Sequence, residues 1–211
     1  MLKQLTKDEI AKAKMIVAST KWKTNGCRDT VKYLTKQKLK MTLVKKYSTK
    51  YGLVLIDDKE NITIAYRGTR KKTLRDVKAD YDLFINKNIE DIDRVQKAKN
   101  QIRRIKRDLG KLPVHLIGYS LGGAIAIIVG EEVGIPSTTF NPFITQYIID
   151  QKRKILHKIV RTSTDFASSK LEKENLYNLN VKNVASLCSS SLLNLICAHK
   201  LKNFIPDKKL L

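Results

Sequence analysis

Apolar and polar positions along this chain follow two periods in turn. Residues 52–56 (Gly-Leu-Val-Leu-Ile) and 61–66 (Asn-Ile-Thr-Ile-Ala-Tyr) are short strand-like runs around the polar turn 57–60, which predicts a hairpin. Ile92, Val95, Ala98, Ile102, Ile105 and Leu109 recur at helical spacing over a charged opposite face, so residues 89–109 are predicted to be a helix closed by Gly110. A buried strand is expected at 113–117, a wholly apolar helix from Ala124 to Glu132 ended by Gly134, and a strand at 137–140 broken by Asn141-Pro142. A helical stretch over 143–154 and a strand over 155–161 follow, then an apolar tail over 185–199 that ends at His199. At the front, Thr6 and Glu9 have capping-box spacing for a helix running to about Ser19, and a second basic helix is expected over 29–37. Residues 38–50 and 70–88 show no decisive period. Strands alternating with helices imply an α/β domain whose mostly parallel sheet is covered on both faces.

Composition narrows the class. The chain has 211 residues, of which 42% are hydrophobic, enough for one sizeable core. Residues 1–211 are therefore expected to be a single domain with a basic helical extension at 1–45. No apolar run approaches the roughly 20 residues of a membrane span, and the charged start is unlike a secretory signal. Three cysteines, Cys27, Cys188 and Cys197, point to free thiols in a reducing, cytoplasmic setting. Three histidines at unrelated spacings suggest no metal site. The net charge of +22 suits an anionic partner, either a membrane surface or nucleic acid. Nucleic acid is the less favoured of the two, because the basic stretches lack interleaved aromatics. Lys outnumbers Arg and Ile and Asn are plentiful, which is also what an AT-rich coding sequence produces. The charge is uneven: no Lys or Arg occurs between Lys111 and Lys152, and the candidate chemistry falls in that neutral stretch.

Gly118-Tyr119-Ser120-Leu121-Gly122 lies between a predicted strand and a predicted helix. A G-x-S-x-G sequence in that context is a nucleophile elbow, a tight turn that presents the serine hydroxyl. Gly118 and Gly122 supply the clearance such a turn needs. The run Leu116-Ile117-Gly118-Tyr119-Ser120-Leu121-Gly122-Gly123-Ala124 resembles the GHSLGGA signature of the class 3 lipases, with Tyr119 in place of the usual His. Ile64-Ala65-Tyr66-Arg67-Gly68-Thr69 resembles that family's F-R-G-T/S strand end, and Arg75-Asp76-Val77 with Asp80 and Leu83 resembles its D-W-x-x-D-L stretch, with Val77 for Trp. The resemblance covers roughly residues 50–200 and implies an α/β-hydrolase fold of compact, intracellular or viral type.

A serine nucleophile needs a histidine base and a carboxylate that orients it. The α/β-hydrolase order is Ser, acid, His, which disfavours His115 and His157 and leaves His199. Glu131, Glu132, Asp150, Asp165, Glu172 and Glu174 are the acids to consider. Asp165 follows a strand end, where sites form in open α/β sheets, and Asp165-Phe166-Ala167 is similar to the family's D-P-V. Taken alone, Asp165 also suits a helix cap and His199 a surface position. Leu121 N–H, just after the serine, is one expected oxyanion donor, and the resemblance implies Thr69 as the other. The resemblance also implies a lid over 70–88, whose Lys, Arg, Leu and Phe residues would suit an anionic lipid interface. The expected function is a lipase-type serine hydrolase of acylglycerol or phospholipid esters, needing no cofactor and no metal. The alternatives are a short-chain esterase or thioesterase, or an inactive scaffold serving as a basic binding or virion protein.

Overall fold

The structure is a computed structural model that describes residues 3–22, 27–69, 93–150, 153–163, 165, 168, 178–185 and 199–205. The expected lid, most of the tail over 185–199, Glu172, Glu174, Cys188 and Cys197 lie outside the described residues. Cys27 is a free thiol.

Among the described residues seven strands form one sheet in sequential order: β1 Thr42–Leu43, β2 Gly52–Ile56, β3 Ile62–Tyr66, β4 His115–Tyr119, β5 Ser137–Phe140, β6 His157–Thr162 and β7 Leu179–Val184. β1, β2 and β3 pair antiparallel, and β3 to β7 pair parallel. The hairpin falls in the expected register, from Gly52 opposite Tyr66 to Ile56 opposite Ile62. Its turn is held by Asp57, whose carboxylate accepts from the backbone of Lys59 and Asn61.

Several boundaries differ from the sequence expectation. The fourth strand begins at His115, although Val114 N already donates to Ile62 O at 2.9 Å. The helical stretch after Pro142 contracts to Gln146–Asp150. Phe143 and Ile144 are fully buried before it, and the Thr145 hydroxyl accepts from Ile148 N at its start. β1 falls within the patternless 38–50 region, and β7 was not anticipated at all.

Helices cover both faces. On one face, α3 (Asp93–Leu109) and α4 (Leu121–Val133) pack Val95, Ile102, Ile105 and Ile125 against Val54, Ile64 and Leu116. On the other, α1 (Lys7–Lys21) and α2 (Arg28–Lys36) pack Ile16, Val17 and Leu34 against Leu55, Ile117 and Val160. The basic N-terminal segment is thus a wall of the core. α1 starts with the anticipated capping box, Thr6 N donating to Glu9 Oε2 at 2.7 Å and Glu9 N to Thr6 Oγ1 at 3.2 Å. Glu9 also pairs with Lys158 of β6 at 2.8 Å and Lys182 of β7 at 2.6 Å. Burial acts to raise its pKa, but the two lysines and the Thr6 amide outweigh burial and hold it at about 2. Among the described residues no helix is long and apolar enough to cross a membrane.

Candidate active site

In a parallel sheet the C-terminal ends of successive strands share one rim. β3 delivers Gly68 and Thr69 to that rim, β4 delivers Ser120, and β6 delivers Asp165. Ser120 caps α4 with φ 55 and ψ −128, a backbone conformation that side chains rarely adopt. Its N–H is tied to Phe140 O at 3.1 Å, and its carbonyl accepts from Gly123 N at 2.8 Å. The neighbouring glycines are dictated by space. A Cβ on Gly118 would lie 2.2 Å from Gly122 O, and one on Gly122 would lie 2.4 Å from Tyr66 O. A Cβ on Gly68 would approach Ser120 Cβ to 3.1 Å, so the end of β3 lies directly against the elbow.

These are the features of a nucleophile elbow on an open, mostly parallel sheet. The fold is that of an α/β-hydrolase.

His199 lies across the elbow, just before a 3-10 turn, Leu201–Phe204, that is anchored by Phe204 packing edge-on against Phe140 at 5.0 Å. Its Nε2 is 2.9 Å from Ser120 Oγ, and its Nδ1 is 2.6 Å from Asp165 Oδ1. All three side chains are buried. The structure therefore brings together the three residues singled out from sequence, and it places the other candidates elsewhere. His115 bonds Thr138 on the sheet at 2.9 Å, and burial, with Lys12 adding to it, lowers its pKa to about 4. His157 is fully buried between Ser137 at 2.8 Å and Glu131 at 3.2 Å, with its pKa lowered by burial. Glu132 pairs with Lys99, and Asp150 accepts from Gln146.

Three supports were not foreseen. Ser168 donates to Asp165 Oδ2 through its N–H at 2.9 Å and its hydroxyl at 2.5 Å, leaving Oδ1 to His199. The three-residue spacing of Asp165 and Ser168 is that of a capping turn, so the signal was present in the sequence. Tyr119 donates its hydroxyl to the His199 carbonyl at 2.6 Å, and its ring lies 5.3 Å from the imidazole. Burial, with Asp165 adding to it, pushes the Tyr119 phenol up, so it remains a donor. Phe143 stacks on the imidazole at 5.6 Å. The imidazole is thus in contact with two aromatic rings.

Leu121 occupies the first position of α4, where an N–H has no intrahelical acceptor. Thr69 is half-buried on the same rim, and with Gly68, Tyr119, Leu201, Val17 and Thr20 it lines a cavity of about 470 Å³. Among the described residues no group of three or more His, Cys, Asp or Glu is placed to hold a metal ion.

No family model and no curated protein matches this chain. Solved structures similar to it include a "predicted CIB-like hydrolase" from Thermoplasma acidophilum at 17% identity and TM-score 0.46, covering 78% of this chain and 92% of that one. Rhizomucor miehei lipase is similar at 14% identity and TM-score 0.44, with 78% of this chain matched to 63% of that chain. Lipase II from Rhizopus niveus is similar at 15% identity and TM-score 0.43, covering 77% and 75%.

Proposed function

We propose that this protein is a lipase-type serine hydrolase that cleaves carboxylic esters of acylglycerols or phospholipids through an acyl-enzyme. The observation that carries this reading is the continuous contact from Ser120 Oγ through both ring nitrogens of His199 to Asp165. With the Nδ1 proton donated to Asp165, Nε2 faces the hydroxyl as an acceptor, which is the tautomer a general base needs.

Ser120 Oγ attacks the acyl carbon as His199 Nε2 takes its proton. The negative charge that develops on the former carbonyl oxygen is met by the Leu121 and Thr69 N–H groups and by the N-terminus of α4. His199 then protonates the leaving alcohol. A water molecule attacks the acyl-enzyme by the same route, and Ser120 regains its proton. Asp165, oriented by Ser168, holds the imidazole throughout.

A fluorophosphonate probe tests the reading. Wild type is expected to be labelled and Ser120→Ala is not, with turnover of a long-chain ester falling by at least about 10⁴-fold. Asp165→Asn is expected to retain a small residual rate. Labelling that persists in Ser120→Ala, or no labelling of wild type, defeats the proposal. A series of p-nitrophenyl esters of increasing chain length, free and micellar, separates a lipase from a short-chain esterase.

A further inference from the structure

Beyond the candidate active site, cations gather around one aromatic ring on the same rim of the sheet. Tyr51, just before β2, has Lys50 and Arg94 4.9 Å from its ring centroid, Lys97 at 5.5 Å and Arg67 at 5.8 Å. Next to it is a cavity of about 270 Å³, lined by Thr49, Lys50, Tyr51, Lys97, Asn100 and Arg104 among others. The negative face of the ring attracts all four cations. Lys97 also pairs with Asp93 at 2.6 Å, one turn away.

The floor of the cavity is fixed. Gln101 is buried and donates to Tyr47 O and Gly52 O at 2.8 and 2.7 Å, tying α3 to the segment before β2. Thr49 Oγ1 accepts from the N–H groups of Tyr51 and Gly52. Arg67 Nε donates to Lys50 O, and Arg94 Nη2 donates to Arg67 O at 2.6 Å. Two guanidinium groups are thereby held in place beside the ring, while Lys50, Lys97 and Arg104 stay exposed at the mouth. A fixed base with exposed cations above it is suited to a compact, multiply charged oxyanion.

We propose that this pocket is a second binding site, which takes a phosphate monoester through Lys50, Lys97 and Arg104. Arg67 stands two residues before Thr69, within about 7 Å of chain, so the site lies beside the elbow but shares no catalytic group with it. A free phosphate ester and the headgroup of an anionic lipid present the same chemistry to it. The proposal does not depend on the chemistry at Ser120.

The test uses the full chain carrying Ser120→Ala, so that no substrate is consumed. Lys97→Ala/Arg104→Ala is compared with Lys32→Ala/Lys36→Ala, which removes the same charge from the exposed face of α2. Glycerophosphate binding is measured by calorimetry, and partition is measured onto phosphatidylcholine vesicles with and without phosphatidic acid. The pocket pair is expected to lose at least about tenfold in affinity, and the α2 pair to match the parent. A selective loss for glycerophosphate alone identifies a soluble ester as the ligand. A selective loss on phosphatidic acid vesicles, with or without the other, identifies the headgroup. Equal weakening by both pairs would show that net charge alone is at work, and would overturn the site. Absence of binding to either ligand would overturn it as well.

Discussion

Ser120 makes the cost of the elbow measurable at a single residue. At φ 55 and ψ −128 a Cβ is strained, whereas glycine is at ease there. Ser120→Gly and Ser120→Ala both remove the hydroxyl and its contact with His199, so their difference sets that strain against the greater unfolded-state entropy of glycine. Ser120→Gly is expected to be more stable than Ser120→Ala by about 1 kcal/mol in urea unfolding, the reverse of the order at an ordinary helix position. Tyr119 gives a second test at this scale. Its hydroxyl positions His199 through the backbone carbonyl and reaches no reacting atom. Tyr119→Phe is expected to lower kcat about fivefold with KM unchanged, as befits one lost hydrogen bond that orients the base. A change confined to KM would assign the hydroxyl to substrate binding instead.

Among the elements, what could be read in advance depended on how much of the signal was local. The capping box of α1 was visible as Thr6 and Glu9, because both partners lie within one turn. The apolar helix after Ser120 announced its burial, since residues from Leu121 to Gly130 lie in the core. β7 escaped notice because Leu179–Val184 is a half-exposed edge strand rich in Asn and Lys, with a weak apolar alternation. Nothing local indicated that Glu9 reaches β6 and β7, since its partners lie about 150 residues or more along the chain. That contact makes a prediction. The carboxylate is held at about 2, so its stabilising contribution is complete above its ordinary value near 4.5 and is lost as pH falls through 2. Glu9→Gln is expected to lower stability by up to about 3 kcal/mol at neutral pH and to remove this part of the acid transition, as read by melting temperature against pH. An unchanged acid limb would show that the ion pairs add nothing.

For the whole molecule, the sheet order and the site came from different kinds of information. The rim positions of Ser120 and Asp165 followed from strand order, whereas His199 followed from chain order and from the resemblance of residues 198–204 to the closing histidine segment of the class 3 lipases. Two other histidines govern how the intact fold responds to acid. His115 and His157 are kept neutral by burial, while in the unfolded chain they take up protons near 6.5. Stability is therefore expected to decline as pH falls below 6.5, the His115 share ending near 4, where the native state also binds its proton. Proton uptake on unfolding near pH 5 should drop by about one in His115→Gln. No drop would mean that His115 titrates alike in both states.

Lys3 donates to the Asn183 carbonyl at 2.9 Å, and Leu201, Phe204 and Ile205 share a core with Ile16 and Val17. The helix at Lys7–Lys21 is thus enclosed only when residues about 180 positions further along the chain dock against it. A chain cut short of residue 199 would carry the Ser120 hydroxyl without its His199 contact, with the apolar side of α1 still wet. Completion of the site and burial of the helix would then arrive together, when the turn at Leu201–Phe204 locks on.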